Sequence, residues 1–446
     1  MSRQRLALPL VSALSLCAVN AHGAGFALIE NSASGMGNAY AGAAAIAEDG
    51  STIYFNPAGM TELKEQQLSG MLHWVRPRGN FTNNDSRTAT GDSLTGEDSR
   101  NKGVDGIIPN LYYNKALNDG LVFGLGVTVP FGMETNYDDT WVGRYHGVKS
   151  KVMTVNINPS LAWKINEQLS FGAGISGQYV HVELSSAVDF GSICQALMSP
   201  TACSAIGANP QQLDGFAELE GDDFSWGYNF GLLYKPQPST QLGLSYRSMV
   251  DHDVTGDADF TVPGEMAFIT ANGSFVDTSL SSSVTLPESS SLSLAHKIDQ
   301  FTLLADWTYT RWSRFKELRI SYDSVQPDSV TTENWQDSSR LAIGLNYQMK
   351  PNLVLRSGLA YDETPLPDAE HRTPRIAGSD RTWLSLGVGY QLNKQLSFDL
   401  GYAHIFVKDS PSDHTFESSI PTLEHTLRGD YDAKVDILSA QLNWTF

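Results

Sequence analysis

From residue 65 to the C-terminus the chain repeats one pattern, in which apolar and polar residues alternate over about ten positions before a turn. The final segment shows this clearly, since one parity is held by Leu438, Ala440, Leu442, Trp444 and Phe446. An apolar outer face, a polar inner face and aromatic residues at the ends are typical of strands in a transmembrane β-barrel. A soluble sandwich also alternates, but it does not normally end its outward face in Trp and Phe.

Fourteen such segments can be counted, and they predict an all-β fold, a 14-stranded antiparallel transmembrane β-barrel. Their connections alternate between short turns and long loops, as they do in outer-membrane barrels. The barrel takes up residues 65–446, so the length of the chain requires no second globular domain. The predicted strands are 65–77, 105–116, 119–131, 148–163, 168–184, 224–236, 240–254, 281–296, 300–322, 335–348, 353–362, 380–392, 396–408 and 432–446.

The N-terminus has the pattern of a secretory signal peptide. Two arginines precede an apolar run, and small residues follow at Ala21 and Gly23, which predicts a signal peptide over residues 1–23, with cleavage after Ala24 as the alternative. The mature chain then retains Cys194 and Cys203. An exported compartment is oxidising, so we expect a disulfide within one loop. A metal-binding pair is the weaker interpretation, because no histidine lies near either cysteine in sequence.

Charge and motifs argue against several other classes of protein. The formal net charge of −19 disfavours a nucleic-acid partner. Residues 172–177 match G-x-G-x-x-G, but a strand pattern follows where a dinucleotide site requires a helix. Residues 91–94 spell GDSL within a polar, loop-like stretch, and the ten histidines show no spacing of metal ligands. We therefore expect no enzyme, cofactor or metal site; a lipid hydrolase using Ser93 or another lumenal serine, or a surface receptor or adhesin, are the alternatives.

Pro130 interrupts the third predicted strand. Proline cannot donate to a strand ladder, and with Phe131 and Gly132 beside it we expect a kink or bulge at membrane level. In one interpretation the strand simply ends there. In the other, the kink opens a gap in the wall through which an apolar molecule leaves sideways into the lipid.

Four arginines occupy the polar parity of their strands: Arg247, Arg340, Arg356 and Arg381. Charges on the lipid face of a barrel are costly, so we expect these side chains in the lumen. There they pair either with acids of an internal plug, such as Glu30, Glu48 or Asp49, or with a substrate carboxylate. Pairing within the protein is favoured, because a buried arginine usually has a protein carboxylate as its partner.

The Gly/Ala-rich segment GFALIENSASGMGNAYAGAAAIAEDGSTIYFNPAGMTEL, which contains Asn56-Pro57-Ala58, resembles the N-terminal hatch of the FadL family. Further similarities follow in order along the chain: IPNLYY, VPFGMETNYDDTWVGRY, LGLSYRS, VTLPES, TYTRWSRF, RLAIGLNY, LRSGLAYDETPLPD and DRTWLSLGVGY. Proteins of that family are outer-membrane transporters of long-chain fatty acids and other hydrophobic compounds.

The resemblance implies a hatch over residues 24–64 inside a barrel of residues 65–446 with long extracellular loops. It implies passive uptake by loop capture, a hatch-gated pocket and lateral exit through a kinked third strand. Phe26 would lie at the deep pocket, and Asn56, Pro57 and Ala58 would fix the end of the hatch. Loops 185–223 and 255–280 would capture substrate, the second with Phe260, Met266, Phe268 and Ile269. The implied location is the outer membrane of a Gram-negative cell, as a monomer among outer-membrane lipid and lipopolysaccharide.

One region departs from the resemblance. Family members that grip a carboxylate use basic residues near the top of the fifth strand and before the tenth, where this chain reads HVELSSAV and DSVTTENWQD. Arg319 is the nearest alternative. The expected partner is a long-chain fatty acid, with a neutral hydrocarbon or aromatic compound as the other possibility.

Overall fold

The computed structural model describes residues 25–63, 65–101 and 104–446, with only the backbone of residues 100 and 101. The predicted signal peptide and both end residues of the predicted hatch, 24 and 64, lie outside the described residues. The strands are β1 Gln67–Asn83, β2 Arg100–Asn101, β3 Gly106–Asn118, β4 Leu121–Thr128, β5 Gly132–Asn136, β6 Lys149–Lys164, β7 Leu169–Asp189, β8 Asp214–Gln237, β9 Thr240–Arg247, β10 Val250–Thr261, β11 Thr278–Leu286, β12 Ser289–Ile298, β13 Phe301–Thr310, β14 Glu317–Tyr322, β15 Ser329–Thr332, β16 Ser338–Lys350, β17 Leu353–Asp362, β18 Arg381–Gln391, β19 Leu396–Val407, β20 Ser410–Thr415 and β21 Thr426–Thr445.

Short helices lie in the N-terminal segment and in the loops. The α-helices are α1 Ala33–Gly37, α2 Thr52–Phe55, α3 Phe190–Leu197 and α4 Pro200–Ala205. The 3₁₀ helices are Pro57–Glu62, Gly264–Asn272, Trp312–Arg314 and Pro421–Leu423. Within the described part of the chain, no helix is long and apolar enough to cross a membrane.

The strands form a closed antiparallel barrel. The last strand, β21, pairs with β1 along seventeen positions from Gln67–Thr445 to Asn83–Gly429. Fourteen segments of the described chain make up the wall, because β4 with β5, β9 with β10, β11 with β12 and β13 with β14 each form one interrupted segment. The short strands β2, β15 and β20 only extend β1, β14 and β21 at their outer parts and are not counted. The fold class predicted from the sequence is therefore confirmed.

The alternation of residues along the strands also matches the prediction. On β21, Leu438 and Trp444 are 49% and 44% exposed, whereas Ser439 and Gln441 between them are 0% and 4% exposed. Apolar side chains thus face outward and polar side chains face the lumen, as a barrel in lipid requires. The face that a soluble protein would bury is here the face that contacts the membrane.

Three segments predicted as continuous strands are interrupted. Segment 240–254 breaks at residues 248–249, 281–296 breaks at Pro287, and 300–322 breaks over the inward turn that contains Trp312. Pro287 has no N–H to donate to the ladder, which is the same physical reason that breaks the third segment at Pro130. Pairing between β11 and β14 is limited to Leu280–Tyr322 and Ser281–Ser321, so the wall is weakly joined there.

Residues 25–63 lie against the inner face of the wall and touch strands on several sides of it. Glycines of the wall allow the approach: a Cβ on Gly243 would lie 1.9 Å from the Ala44 carbonyl oxygen, and one on Gly358 would lie 2.1 Å from the Asn38 backbone. A Cβ on Gly231 would likewise lie 1.9 Å from the Asn56 Oδ1. The N-terminal segment and the wall therefore fit at distances that any larger side chain would prevent.

Candidate transport route

The third segment of the wall opens where Pro130 was predicted to interrupt it. Strand β4 ends at Thr128 and β5 begins at Gly132. The N-terminal segment fills the opening: the Leu28 N–H donates to the Pro130 carbonyl at 2.9 Å, and the Gly132 N–H donates to the Phe26 carbonyl at 2.9 Å. These two bonds enclose a bridge between Ala27 and Phe131. Residues 26–28 thus act as a short strand paired with the interrupted wall.

Phe26 is held in a cluster of aromatic rings. Its ring centroid lies 5.0 Å from that of Trp312, 5.9 Å from Trp335, 6.0 Å from Phe131 and 6.1 Å from Phe315. Phe26 itself is 4% exposed. The cluster is an apolar site beside the opening, and it brings together Phe26 and Phe131, which the sequence singled out separately.

Glycine is required at the residue before Phe26. Gly25 has φ +58°, and a Cβ there would lie 2.5 Å from the Trp312 ring. The left-handed backbone favours glycine, and the ring leaves no room for a side chain. This tight turn directs Phe26 into the aromatic cluster.

A cavity of about 130 Å³ lies inside the barrel between residues 27–30 and the wall. Pro130 and Phe131 form part of its lining, so it reaches the opening in the third segment. Three of the four predicted lumenal arginines line it, namely Arg247, Arg340 and Arg381. The cavity is largely polar on the wall side and, apart from Glu30, largely apolar on the side of the N-terminal segment.

The predicted arginines bind groups of the protein. Arg356 forms ion pairs with Glu48 at 3.0 Å and with Asp399 at 2.8 Å. Arg381 pairs with Asp362 at 2.6 Å. Both arginines therefore pair with carboxylates of the protein, as the favoured interpretation has it. Of the plug acids named from the sequence, Glu48 is the one that forms such an ion pair, with Arg356.

The other two arginines contact the N-terminal segment without an ion pair among the described residues. Arg340 donates to the Ala39 carbonyl at 2.9 Å. Arg247 donates to the Tyr54 carbonyl at 2.9 Å, and its guanidinium carbon lies 4.3 Å from the centre of the Tyr54 ring. Each contact ties the barrel wall to the segment inside it.

Asn56, Pro57 and Ala58 sit near the end of the N-terminal segment. The Asn56 amide donates to the carbonyls of Ala44 at 2.6 Å and Leu232 at 2.9 Å, while its oxygen accepts from the Ala58 N–H at 3.1 Å. Pro57 is the first residue of the 3₁₀ helix, where its missing N–H leaves no donor unpaired. Asn56 therefore caps that helix and attaches it to the wall at β8.

A second cavity, of about 250 Å³, lies among the extracellular loops. About half of the residues that line it are apolar, Arg375 is the arginine among them, and Asp189, Asp328 and Glu417 are the acids. The Arg375 Nη1 donates to Ser150 Oγ at 2.9 Å and to the carbonyls of Lys149 and Ser185 at 3.2 and 3.3 Å. The apolar lining comprises Leu184, Ala187, Val188, Ala217, Leu219, Phe260, Phe275, Leu318, Ile320, Pro327, Phe416, Ile420 and Leu423.

Within the part of the chain that the structure describes, Arg375 has no carboxylate at ion-pair distance, and the buried Glu333 acts on its charge only from farther away. Burial lowers the pKa of its guanidinium to about 10, so it remains protonated at neutral pH. A desolvated cation at the edge of an apolar cavity favours an anionic partner.

The predicted capture loops cover this external cavity. Cys194 and Cys203 form a disulfide between α3 and α4, and both cysteines are fully buried in the loop cluster. Met266 and Ile269 are buried in the same cluster, and Phe260 also lines the cavity. Phe268 is instead 49% exposed to solvent.

Arg319, the alternative headgroup ligand, and Ser93, the alternative hydrolase nucleophile, both lie outside the lining of the two cavities. Arg319 forms ion pairs with Glu317 at 2.7 Å and Asp328 at 3.1 Å, and it does not line the external cavity. Ser93 lies in an extracellular loop, where its carbonyl accepts from Gln211. Among the described residues its hydroxyl has no histidine partner.

Sequence reasoning missed Trp312, Trp335 and Arg375. A signal for Trp312 was present, because a predicted strand of 23 residues at 300–322 is longer than a membrane crossing needs. Arg375 carries no comparable signal, since its position depends on how its loop folds back over the cavity.

Comparison with known proteins accounts for this geometry. The family model described as "Outer membrane protein transport protein (OMPP1/FadL/TodX)" matches residues 14–446. The chain belongs to this family. Its members are outer-membrane transporters of hydrophobic compounds, and this chain is accordingly an outer-membrane transport protein with a 14-stranded barrel.

Individual relatives agree with the family assignment. The chain is 31% identical over 410 residues to the long-chain fatty acid transport protein of Escherichia coli O6:H1, covering 89% of this chain and 90% of that one. The crystal structure of a Pseudomonas aeruginosa FadL homologue superposes with a TM-score of 0.86 at 25% identity, covering 95% and 100%. The Pseudomonas putida toluene transporter TodX, at TM-score 0.64, 17% identity and coverage of 89% and 94%, shares the fold.

Proposed function

We propose that this chain is a passive channel for the uptake of long-chain fatty acids. The external cavity captures the substrate, the aromatic cluster around Phe26 holds it, and movement of residues 26–28 releases it sideways at Pro130. The observation that carries the proposal is the strand-like pairing of residues 26–28 with the interrupted third segment. In this scheme residues 25–63 are the hatch of the barrel.

The contacts that close the opening are of a strength that a substrate can replace. Two backbone hydrogen bonds contribute on the order of 1 kcal/mol each, and burial of the Phe26 side chain contributes about 2–3 kcal/mol. About five or six methylene groups release a similar free energy on burial, at roughly 0.8 kcal/mol each. A long hydrocarbon chain that fills the aromatic cluster can therefore displace Phe26.

Arg375 supports a carboxylate as the polar end of the substrate. Its guanidinium lines the external cavity and has no carboxylate partner in the described chain. The apolar part of the lining suits a hydrocarbon chain, and the three acids of the lining are bonded to other groups of the protein, Asp189 to Ser192, Asp328 to Arg319 and Glu417 to Thr332. Arg375 would then replace the basic residues that are missing from HVELSSAV and DSVTTENWQD.

A disulfide between the hatch and the wall tests the route. Ala27 and Phe131 are opposed with no backbone hydrogen bond between them, and Cα atoms of such pairs lie about 4.5 Å apart, within the range for a disulfide. Oxidised Ala27→Cys/Phe131→Cys should assemble normally but lose uptake of a labelled long-chain fatty acid, and reduction should restore it. The wild type and Ala27→Cys alone, treated identically, are the controls. Full uptake by the cross-linked protein would contradict lateral exit.

A further inference from the structure

Two cations lie side by side on the outer surface of the barrel where β1, β21 and β19 meet, between Asp432 and Asp436 of β21, and we call this pair the cationic patch. Arg78 of β1 lies directly opposite Lys434 of β21, and Lys434 lies opposite Phe406 of β19. All three side chains are exposed on the outward face of the wall. The patch is notable because the whole chain has a formal net charge of −19.

The position of the patch relative to the membrane follows from the strand register. Two rows of residues below it, Trp74, Leu438 and Tyr402 oppose one another across the same three strands, with exposures of 40%, 49% and 42%. Outward aromatic residues of this kind mark the boundary between lipid and water. Because the long loops lie beyond this end, the patch stands at the level of the lipid headgroups on the extracellular side.

The row between the aromatic boundary and the patch is already neutralised. Asp436 accepts from the Tyr402 hydroxyl at 2.7 Å and lies 2.8 Å from His404 Nδ1. Arg76, opposite Asp436, lies 3.9 Å from Asp105. The direct hydrogen-bond and ion-pair partners of the acids at this level are therefore groups other than Arg78 and Lys434.

Among the residues that the structure describes, Arg78 and Lys434 have no partner at hydrogen-bond or ion-pair distance, although the charge of Arg78 acts on Asp436 over a longer distance. Two cations directly opposed on one face of a sheet repel each other, and opposed Cα atoms lie only about 4.5–5.5 Å apart. An anion between the two side chains would remove this repulsion.

We propose that Arg78 and Lys434 bind a phosphate group of an outer-leaflet lipid. Arginine and lysine donate charge-assisted hydrogen bonds to phosphate oxygens. Phe406, which is 54% exposed beside Lys434, supplies an apolar contact for the attached acyl chains. This contact favours a lipid phosphate over free phosphate. The site lies outside the lumen and is independent of the proposed uptake route.

Binding of diphosphoryl lipid A to the purified protein in detergent tests the site. Arg78→Gln/Lys434→Gln should bind it about 30-fold more weakly, since each cation near an anionic lipid surface contributes on the order of 1 kcal/mol. Lys350→Gln/Lys394→Gln, at the opposite rim, makes the same charge change and should bind within about twofold of wild type. Fatty-acid uptake by the Arg78/Lys434 variant should be unchanged.

Four results would overturn the assignment. Equal binding by wild type and the Arg78→Gln/Lys434→Gln variant would exclude the two cations. An equal loss in the control variant would show a general charge effect. Equal binding of lipid A without its phosphates would exclude phosphate recognition. Inorganic phosphate that competes at the same concentration as lipid A would show a free-ion site instead of a lipid site.

Discussion

Replacing Arg375 with Gln should separate charged from neutral substrates. In the protein the guanidinium is fixed by Ser150 Oγ and two carbonyls, and among the described residues it has no carboxylate partner. A bound carboxylate would therefore lose a charge-assisted hydrogen bond in the variant. Hydrogen bonds to charged groups contribute about 1.5–3 kcal/mol, which corresponds to roughly 10- to 150-fold weaker binding.

The assay is a titration of the purified protein with a long-chain fatty acid and with the alcohol of the same chain length. The alcohol has the same hydrocarbon but no charge, so its affinity should change by less than about threefold. Arg375→Lys keeps the charge and should recover part of the affinity for the acid. Because the pKa of Arg375 is lowered to about 10, wild-type affinity for the acid should also fall as the pH rises through that value.

Two outcomes would refute the reasoning. If Arg375→Gln weakens binding of the acid and of the alcohol equally, Arg375 acts by holding the loops together and does not bind a headgroup. If the variant binds both compounds as tightly as wild type, the headgroup binds elsewhere. Thermal unfolding of each variant shows whether the barrel is intact.

Three further predictions concern the hatch, the loop disulfide and a buried histidine. Gly358→Ala should displace the N-terminal segment, because its Cβ would lie 2.1 Å from the Asn38 backbone, and raise single-channel conductance; Gly70→Ala, with its nearest neighbouring atom at 3.7 Å, should not. Replacing Cys194 and Cys203 with Ser should lower the free energy of opening their loop by about 3 kcal/mol. Limited proteolysis would detect this, and unchanged cleavage would contradict it. Burial lowers the pKa of His414 to about 4 from 6.5, so the loops should lose stability as pH falls between these values, by about 1.4 kcal/mol per unit. Hydrogen exchange would measure the loss, and His414→Gln should make the dependence shallower, leaving the part due to His146, whose pKa burial also lowers.

Strand parity made the barrel predictable from sequence. In a membrane the outward face must be apolar along every strand, so the pattern repeats fourteen times and each repeat supports the others. Where the strands continue beyond the lipid this constraint ends. Strand β8 starts at Asp214, ten residues before the predicted start at 224, because its outer part carries exposed acids such as Glu218, Glu220 and Asp222. Their composition resembles a loop although their backbone is paired.

The site was predictable where a residue breaks a local rule. Pro130 has no N–H, so its position marks an interruption whatever surrounds it. Pro287 offered the same signal. Trp312, Trp335 and Arg375 break no local rule, and they meet their neighbours only after distant parts of the chain have folded together. Their roles therefore depend on tertiary structure that periodicity cannot provide.

The close fit between Gly243 and Ala44, and between Gly358 and Asn38, couples changes in the N-terminal segment to changes in the barrel wall. Residues about 200 and 320 positions apart in the chain share one constraint, so a change in the path of the N-terminal segment must be matched by changes in the wall. A chimaera that combines the segment of one family member with the barrel of another should assemble well only when these glycine positions are exchanged with it. The shape of the inner wall therefore depends on the path of the segment that it encloses.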